Sequence, residues 1–417
     1  MVSTPADIAD AFQRLEAFHL ESAKGGKTPP RRLARRDLEP ILCNLGITRV
    51  GDLTELDNIR IPVWSAVRPA SRSLSVSSGK GLTHEAAWVS AVMESCEQAL
   101  AEEAQALTAV VESSRGLARR GLRSVPLDRQ SRCAAGHLSP DRELAWVKGL
   151  SLTTGEHVYA PYELVGMDMV ALAPWNIEEF RMSSVGLASG GDLESALAHG
   201  LHELIEDDAL FGALLPGAAR RTETIAFVPD PRKELDQAME FLAAASVEAR
   251  FCLASSDTGL PVVIAALVPK HTGTQRRSYF CGSGCRSTMR DTVLAALLEA
   301  VQCRTLFISG ARDDLFEEEY GKQLTEGIAT LFDGHIRQSA GRRGSAVGSE
   351  VVTLNDIAAA VTGKGIGDIY AFPLGGGRYG FDVVRVLADD LVSVHGPDAH
   401  ARSGRAARKL LQHWTHQ

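Results

Sequence analysis

Two stretches of this chain set a pair of carboxylates three residues apart on helices that are otherwise apolar, and that pattern limits how those helices can pack. Residues 83–98 read Thr-His-Glu-Ala-Ala-Trp-Val-Ser-Ala-Val-Met-Glu-Ser-Cys-Glu-Gln. Thr83 is a good N-cap, because its hydroxyl can accept from an orphan amide of the first turn. At about 100° per residue, Ser90, Glu94 and Glu97 fall within roughly 60° of one another. Carboxylates at i and i+3 repel, which costs about 0.2–0.5 kcal/mol in an isolated helix. A cation between them removes that cost, and Mg²⁺ favours oxygen ligands of this kind. Taken alone, the pair also reads as a solvated acidic face.

The second copy changes the balance. Residues 196–208 carry Glu203 and Glu206 at the same spacing, with His199 and His202 one turn before each. Leu197, Leu201, Leu204 and Ile205 occupy the other side. A third helical stretch, 288–308, brings Glu299, Gln302 and Arg304 into a similar apolar setting. Polar groups on three apolar helices make a poor core and a good metal–phosphate site. The two Glu-x-x-Glu helices suggest related halves.

Small residues precede these helices. Leu74 to Ser78 is strand-like and runs into Gly79-Lys80-Gly81, where Lys80 is either a phosphate contact or a turn lysine. Ser90 either bonds a phosphate oxygen or back-bonds its own helix. Residues 183–191, with Ser184 near the start, form a small-residue loop ahead of a helix that Asp192 can cap. Backbone amides in such a loop can cradle phosphate, and a plain turn is the alternative.

A net charge of −8 over 417 residues argues against a general nucleic-acid or anionic-membrane surface. No run of 18 apolar residues and no basic-then-apolar start is present, so a cytoplasmic protein is expected. The seven cysteines are odd in number and scattered, which does not suggest a disulfide framework. Cys281 and Cys285 have no second pair nearby to complete a zinc site.

Along the chain, residues 5–22 read as an amphipathic helix, followed by a Gly/Pro break at 25–30 and the basic run Arg31 to Arg36. Residues 37–47 and Val50 to Leu56 read as two short helices, without the basic recognition helix that DNA reading needs. Strands are expected at 61–69, 144–150, 157–161, 225–228, 249–253 and 261–268, with helix at 100–120 and 231–245. Residues 335–350 read as loop, and the glycines at 375–380 as a turn feeding a strand. Alternation of strands and helices indicates an α/β, or α+β layered, unit.

The chain resembles the YcaO family. Residues 90–98 are similar to its Ser-x-x-x-Glu-x-x-Glu-Arg motif, 203–206 to its second Glu-x-x-Glu helix, and Glu299-Ala-Val-Gln-Cys-Arg304 with Gly310-Ala-Arg-Asp-Asp314 to its third motif. The resemblance implies a YcaO-like fold with mixed sheets and helices carrying an ATP/Mg²⁺ site. It implies a helical N-terminal extension at 1–60, a catalytic domain at 61–395 and a tail at 396–417. Lys80, Ser90, Glu94, Glu97, Ser184, Glu203, Glu206, Gln302 and Arg304 become the nucleotide-binding set, with Glu94, Glu97, Glu203 and Glu206 on Mg²⁺. Gln98 and Asp207 stand where the family carries arginine, and Val185 where it carries asparagine, so donors for phosphate are fewer.

The implied activity is ATP-dependent activation of a peptide backbone amide in a precursor peptide. An external sulfur donor gives a thioamide; a neighbouring Cys, Ser or Thr gives an azoline. The ending Lys409 to Gln417 lacks the Pro-x-Pro-x-Pro tail of azoline-forming members. The N-terminal region and the segment Arg68 to Gly81 resemble members that work with a TfuA-type partner. Thioamidation is therefore expected, with a cyclodehydratase and a non-catalytic peptide-binding scaffold as alternatives. A homodimer is compatible with this reading; nucleic acid and membrane are not expected partners.

Overall fold

The computed structural model describes residues 2–22, 31–130, 138–170, 174–175, 179–180, 182–214, 223–224, 233–269, 280–311, 332, 353–363 and 366–391. The break at 25–30, the strand at 225–228, the loop at 335–350, Arg312 to Asp314 and the tail at 396–417 lie outside the described residues.

Helix α1 (Pro5–Ser22) forms as its apolar stripe predicts and buries Ala11, Phe12 and Leu15. It lies on the last sheet, so the N-terminal helix shares the main core. The short α2 (Arg35–Leu38) is followed by two 3₁₀ turns. Then comes β1 (Arg49–Asp52), where the second of the two short helices, Val50 to Leu56, was expected. Tertiary pairing overrides local propensity here, because Arg49 to Asp52 lies antiparallel to β2 (Val63–Val67). β3 (Val76–Lys80) completes this three-stranded sheet.

Helix α3 (His84–Ala101) starts at Thr83, whose side chain accepts from the Ala86 amide. It stops at Ala101 rather than running on to 120. After α4 (Ala104–Leu107), the β-branched run Thr108 to Val111 enters β4 (Thr108–Ser113), with α5 (Ser114–Arg119) beyond it. β5 (Glu143–Ser151) and β6 (His157–Pro161) form the expected hairpin, and α6 (Tyr162–Val165) follows.

The small-residue segment near 187 becomes β7 (Leu187–Gly190), and Asp192 Oδ1 accepts from the Ser195 amide ahead of α7 (Leu193–Leu214). The short β8 (Glu223–Thr224), α8 (Glu234–Ala244), β9 (Val247–Ala254), β10 (Val262–Pro269) and β11 (Phe280–Cys285) make a four-stranded layer with its helix. Helix α9 (Met289–Ser309) is capped by Thr288, whose side chain accepts from the Asp291 amide. α10 (Leu354–Thr362), β12 (Ile369–Gly375) and β13 (Asp382–Ala388) close the chain.

The third sheet runs β4-β5-β12-β13-β7, with β6 also on β5. The layered α/β arrangement is as expected, and the ladders between the strands named here are antiparallel. Among the described residues, α9 alone is long and apolar enough to cross a membrane, but it packs on β11, β10 and β3 and buries Ala296, Leu297, Ala300 and Val301.

Three equivalent units, rather than two halves, underlie this architecture. Each is a strand with Ser-Gly near its end (Ser78-Gly79, Ser189-Gly190, Ser283-Gly284), a capping residue, and one of the long helices. Eleven and fourteen residues past the cap stand Glu94 and Glu97, Glu203 and Glu206, and Glu299 and Gln302. The glycines let helix and strand touch. A Cβ at Gly79 would overlap the backbone of Ala87 and Ala91, and one at Gly284 would crowd Thr292 and Ala296, the equivalent positions of α9.

Candidate active site

The residues fourteen past each cap reach the strand of the next unit. Glu97 Oε1 accepts from Ser189 Oγ at 2.6 Å, and Glu206 Oε1 from Ser283 Oγ at 2.5 Å. Gln302 Nε2 donates to Ser78 Oγ at 2.6 Å, so helix three returns to strand one and the ring closes. The residues eleven past the cap lie beside it. Glu203 Oε2 accepts from the Gly186 amide at 3.0 Å. Glu299 Oε2 accepts from Lys80 Nζ at 3.1 Å, and its Oε1 from the Ser283 amide at 3.4 Å.

The carboxylates form an interacting row. Burial, then the neighbouring Glu94 charge, push Glu97 up to about 8 against the hydrogen bonds from Ser189. Burial also raises Glu203 well above the usual range, with Glu97 and Glu206 adding repulsion. Glu206 is raised by burial and Glu299, while Ser283, Arg286 and Lys80 oppose the rise. Two cations therefore attend the Glu206 end, and Arg385 acts on Glu97 and Glu203 at the other. His199 and His202 are pushed down to about 3 and 4, first by burial and then by Arg286, which leaves both imidazoles neutral at neutral pH.

Among the nine residues expected at the site, Glu97, Glu203, Glu206, Gln302 and Lys80 take part in this ring or its contacts, and Glu94 acts on Glu97. Ser90 is partly buried one turn before Glu94 on α3. Ser184 is exposed in the turn before β7, where its carbonyl accepts from the Leu187 amide at 2.7 Å. Arg304 points elsewhere: Nε donates to Asp57 Oδ2 at 2.8 Å and Nη2 to Asn58 Oδ1 at 3.3 Å. Two residues beyond Gln302 it lies about 200° round the helix, on the side facing Asp57 and Asn58 just after the Thr54–Leu56 turn.

Gln98 also turns away from the row. It is 4% exposed, and its Oε1 accepts from Ser77 Oγ at 3.3 Å between α3 and β3. Asp207 is likewise buried. Sequence reasoning missed Ser189, Ser283, Arg286 and Arg385. The Ser-Gly pairs were a usable signal for the two serines; Arg385, on a strand nearly two hundred residues from Glu203, offered none.

The donor set suits a hard cation. Five glutamates repel one another in shared surroundings, and a divalent ion with phosphate relieves that repulsion. No three His, Cys, Asp or Glu groups among the described residues already form a cage. Mg²⁺ does not need one, because it keeps several waters and shares one or two carboxylates with substrate phosphates.

A mixed α/β fold that buries a row of carboxylates, with Lys80 and Arg286 at one end and Arg385 at the other, is an arrangement that a divalent cation with phosphate would suit. The family model described as YcaO cyclodehydratase, ATP- and Mg²⁺-binding, matches residues 78–392, and the chain belongs to the YcaO family. ATP and Mg²⁺ are the ligands of this domain, and ATP-dependent modification of peptide backbones is its general chemistry. The chain is 34% identical over 385 residues to a protein in the tfuA 3′ region of Rhizobium leguminosarum bv. trifolii, covering 87% of each. A Methanothermobacter thermautotrophicus protein is 33% identical over 301 residues, 67% of this chain and 70% of that one. The fold is similar to YcaO from Methanopyrus kandleri bound with AMPPCP and Mg²⁺, with TM-score 0.62, 22% identity, and coverage of 86% and 89%. It is also similar to a heterocyclase in complex with substrate and cofactor, with TM-score 0.68, 17% identity, and coverage of 90% and 56%.

Proposed function

We propose that this protein converts a backbone amide of a precursor peptide to a thioamide, together with a TfuA-type partner. The observation that carries this choice within the family is the identity, over 87% of both chains, to the protein in the tfuA 3′ region. The cluster supports the ATP-dependent step. Glu94, Glu97, Glu203 and Glu206 would hold Mg²⁺, with Lys80 and Arg286 supplying positive charge beside Glu206. Mg²⁺–ATP supplies a phosphoryl group and neutralises its developing negative charge.

Within that frame the chain's own residues have separate tasks. Ser189 and Ser283 fix one oxygen each of Glu97 and Glu206, which leaves the other oxygens for a cation. Neutral imidazoles at His199 and His202 keep further positive charge out of the cleft. At the amide carbon a bond to sulfur would replace the bond to oxygen, and the oxygen would leave as phosphate. The balance needs an external sulfide-level donor, and delivering it is the role assigned to the partner.

Mass spectrometry of a precursor peptide incubated with protein, partner, Mg²⁺, ATP and a sulfide source tests this. Oxygen-to-sulfur exchange adds about 16 Da, whereas azoline formation removes about 18 Da, as atomic masses require for these two amide activations. Loss of mass at Cys, Ser or Thr without sulfide would replace thioamidation by cyclodehydration, which the matching family description favours. Peptide binding without a mass change would leave a scaffold.

A further inference from the structure

Arg385, on β13, is only 1% exposed, yet it carries a guanidinium. Such a group is stable inside a protein only if opposite charge and acceptors surround it. Nε donates to the Val165 carbonyl at 3.0 Å and Nη1 to the Val185 carbonyl at 2.7 Å. Nη2 is buried without a hydrogen-bond partner. Its charge acts on two carboxylates of the row, Glu203 and Glu97.

The carbonyl that Arg385 grips belongs to the peptide whose N–H is that of Gly186, the donor to Glu203 Oε2. The Gly186 carbonyl in turn accepts from the Val386 amide at 2.7 Å. Gly186 has φ +79°, and a Cβ there would overlap the Val386 carbonyl oxygen. Consecutive residues of β13 thus hold both sides of one tight turn, and that turn aims one glutamate.

We propose that Arg385 is a positioning residue of the metal site, forking between the Val165 and Val185 carbonyls to fix the turn that orients Glu203. This rests on the reading of the same cluster as a Mg²⁺–nucleotide site. A purely electrostatic role predicts the opposite sign, since removing a cation beside metal ligands would tighten Mg²⁺. Positioning predicts weaker Mg²⁺ use, because outer partners of metal ligands are worth about tenfold or more in metal affinity.

The test is Mg²⁺ titration of fluorescent-nucleotide binding to the full chain, comparing wild type with Arg385→Met and Arg385→Lys. Lysine keeps the charge but cannot fork between two carbonyls, and it covers the case in which the methionine variant fails to fold. The expected result is a rise of about tenfold or more in half-saturating Mg²⁺ for each folded variant, with nucleotide affinity at saturating Mg²⁺ within about twofold of wild type. Unchanged or tighter Mg²⁺ use, wild-type behaviour of Arg385→Lys, or equal loss of nucleotide affinity at every Mg²⁺ concentration would overturn the positioning role alone. Failure of the wild type to bind nucleotide with Mg²⁺ would overturn the site reading, and this inference with it.

Discussion

Ser189 Oγ donates to Glu97 Oε1 at 2.6 Å, joining the long helix of one unit to the strand of the next. The bond satisfies one carboxylate oxygen in a position that burial makes costly for a charge. The same contact recurs as Glu206 with Ser283 and, with an amide for a carboxylate, as Gln302 with Ser78. That repetition turns three separate helices into one cleft, and the single amide makes its third side less acidic.

Glu97→Gln retains an acceptor for Ser189 and removes the negative charge. Mg²⁺-dependent ATP turnover is expected to fall about a hundredfold or more, since a metal contact is worth several kcal/mol in such a transition state. The thermal midpoint should stay close to wild type. Turnover near the wild-type rate, measured by phosphate release, would remove Glu97 from the reaction.

Loading the site should expel protons. Glu97 is held near 8, above its ordinary 4.5, by burial and by Glu94, opposed by Ser189 and Arg385. Binding of Mg²⁺ and nucleotide at pH 7 requires the carboxylate, so protons leave. Calorimetry in buffers of different ionisation enthalpy should give different apparent heats; identical heats would contradict the raised value.

Metal-free stability should fall as pH rises from 6.5 toward 8. In that window folded Glu97 still holds a proton that the unfolded chain has released, so rising pH favours unfolding. His199 and His202 contribute the opposite trend, which fades over about one unit above their ordinary 6.5 as the unfolded imidazoles lose their protons, so the fall is steepest between about 7 and 8. Thermal midpoints that climb across the window would count against protonated glutamates in the cleft.

Gln98→Arg should not improve nucleotide binding, although the family motif carries arginine there. The side chain is buried between α3 and β3 on Ser77, so a longer cation overpacks that interface at about 1–3 kcal/mol or more. Denaturant unfolding should show the loss, while calorimetric titration shows no gain in affinity. Tighter ATP binding would mean that the guanidinium escapes toward the phosphate.

Gly79→Ala tests the close approach of strand and helix. The new Cβ would overlap the Ala87 carbonyl and Ala91 amide, so α3 must shift and carry Glu94 and Glu97 with it. Stability should drop by about 1–3 kcal/mol, and Mg²⁺–nucleotide affinity should drop as well. A wild-type affinity would show that the carboxylates tolerate movement of their helix.

Much of this site is local chemistry and was legible in the chain itself. Thr83 and Asp192 cap the first two long helices as their side chains dictate, and a rotation of 100° per residue sets Glu94 with Glu97 and Glu203 with Glu206 on shared faces. The same rotation places Arg304 on another face, whereas Gln98 lies only about 40° from Glu94 and is engaged instead by Ser77 of the neighbouring strand. The strand at Thr108 to Ser113, where helix was expected, and the strand at Arg49 to Asp52 depended on pairing with β5 and β2. Only the tertiary structure decided that Ser189, Ser283 and Ser78 would meet the three helices, and that Arg385 would sit behind Glu203. Side-chain direction along a helix is fixed by its own geometry, whereas the strand that faces it is chosen by sheet register and by glycines that permit contact.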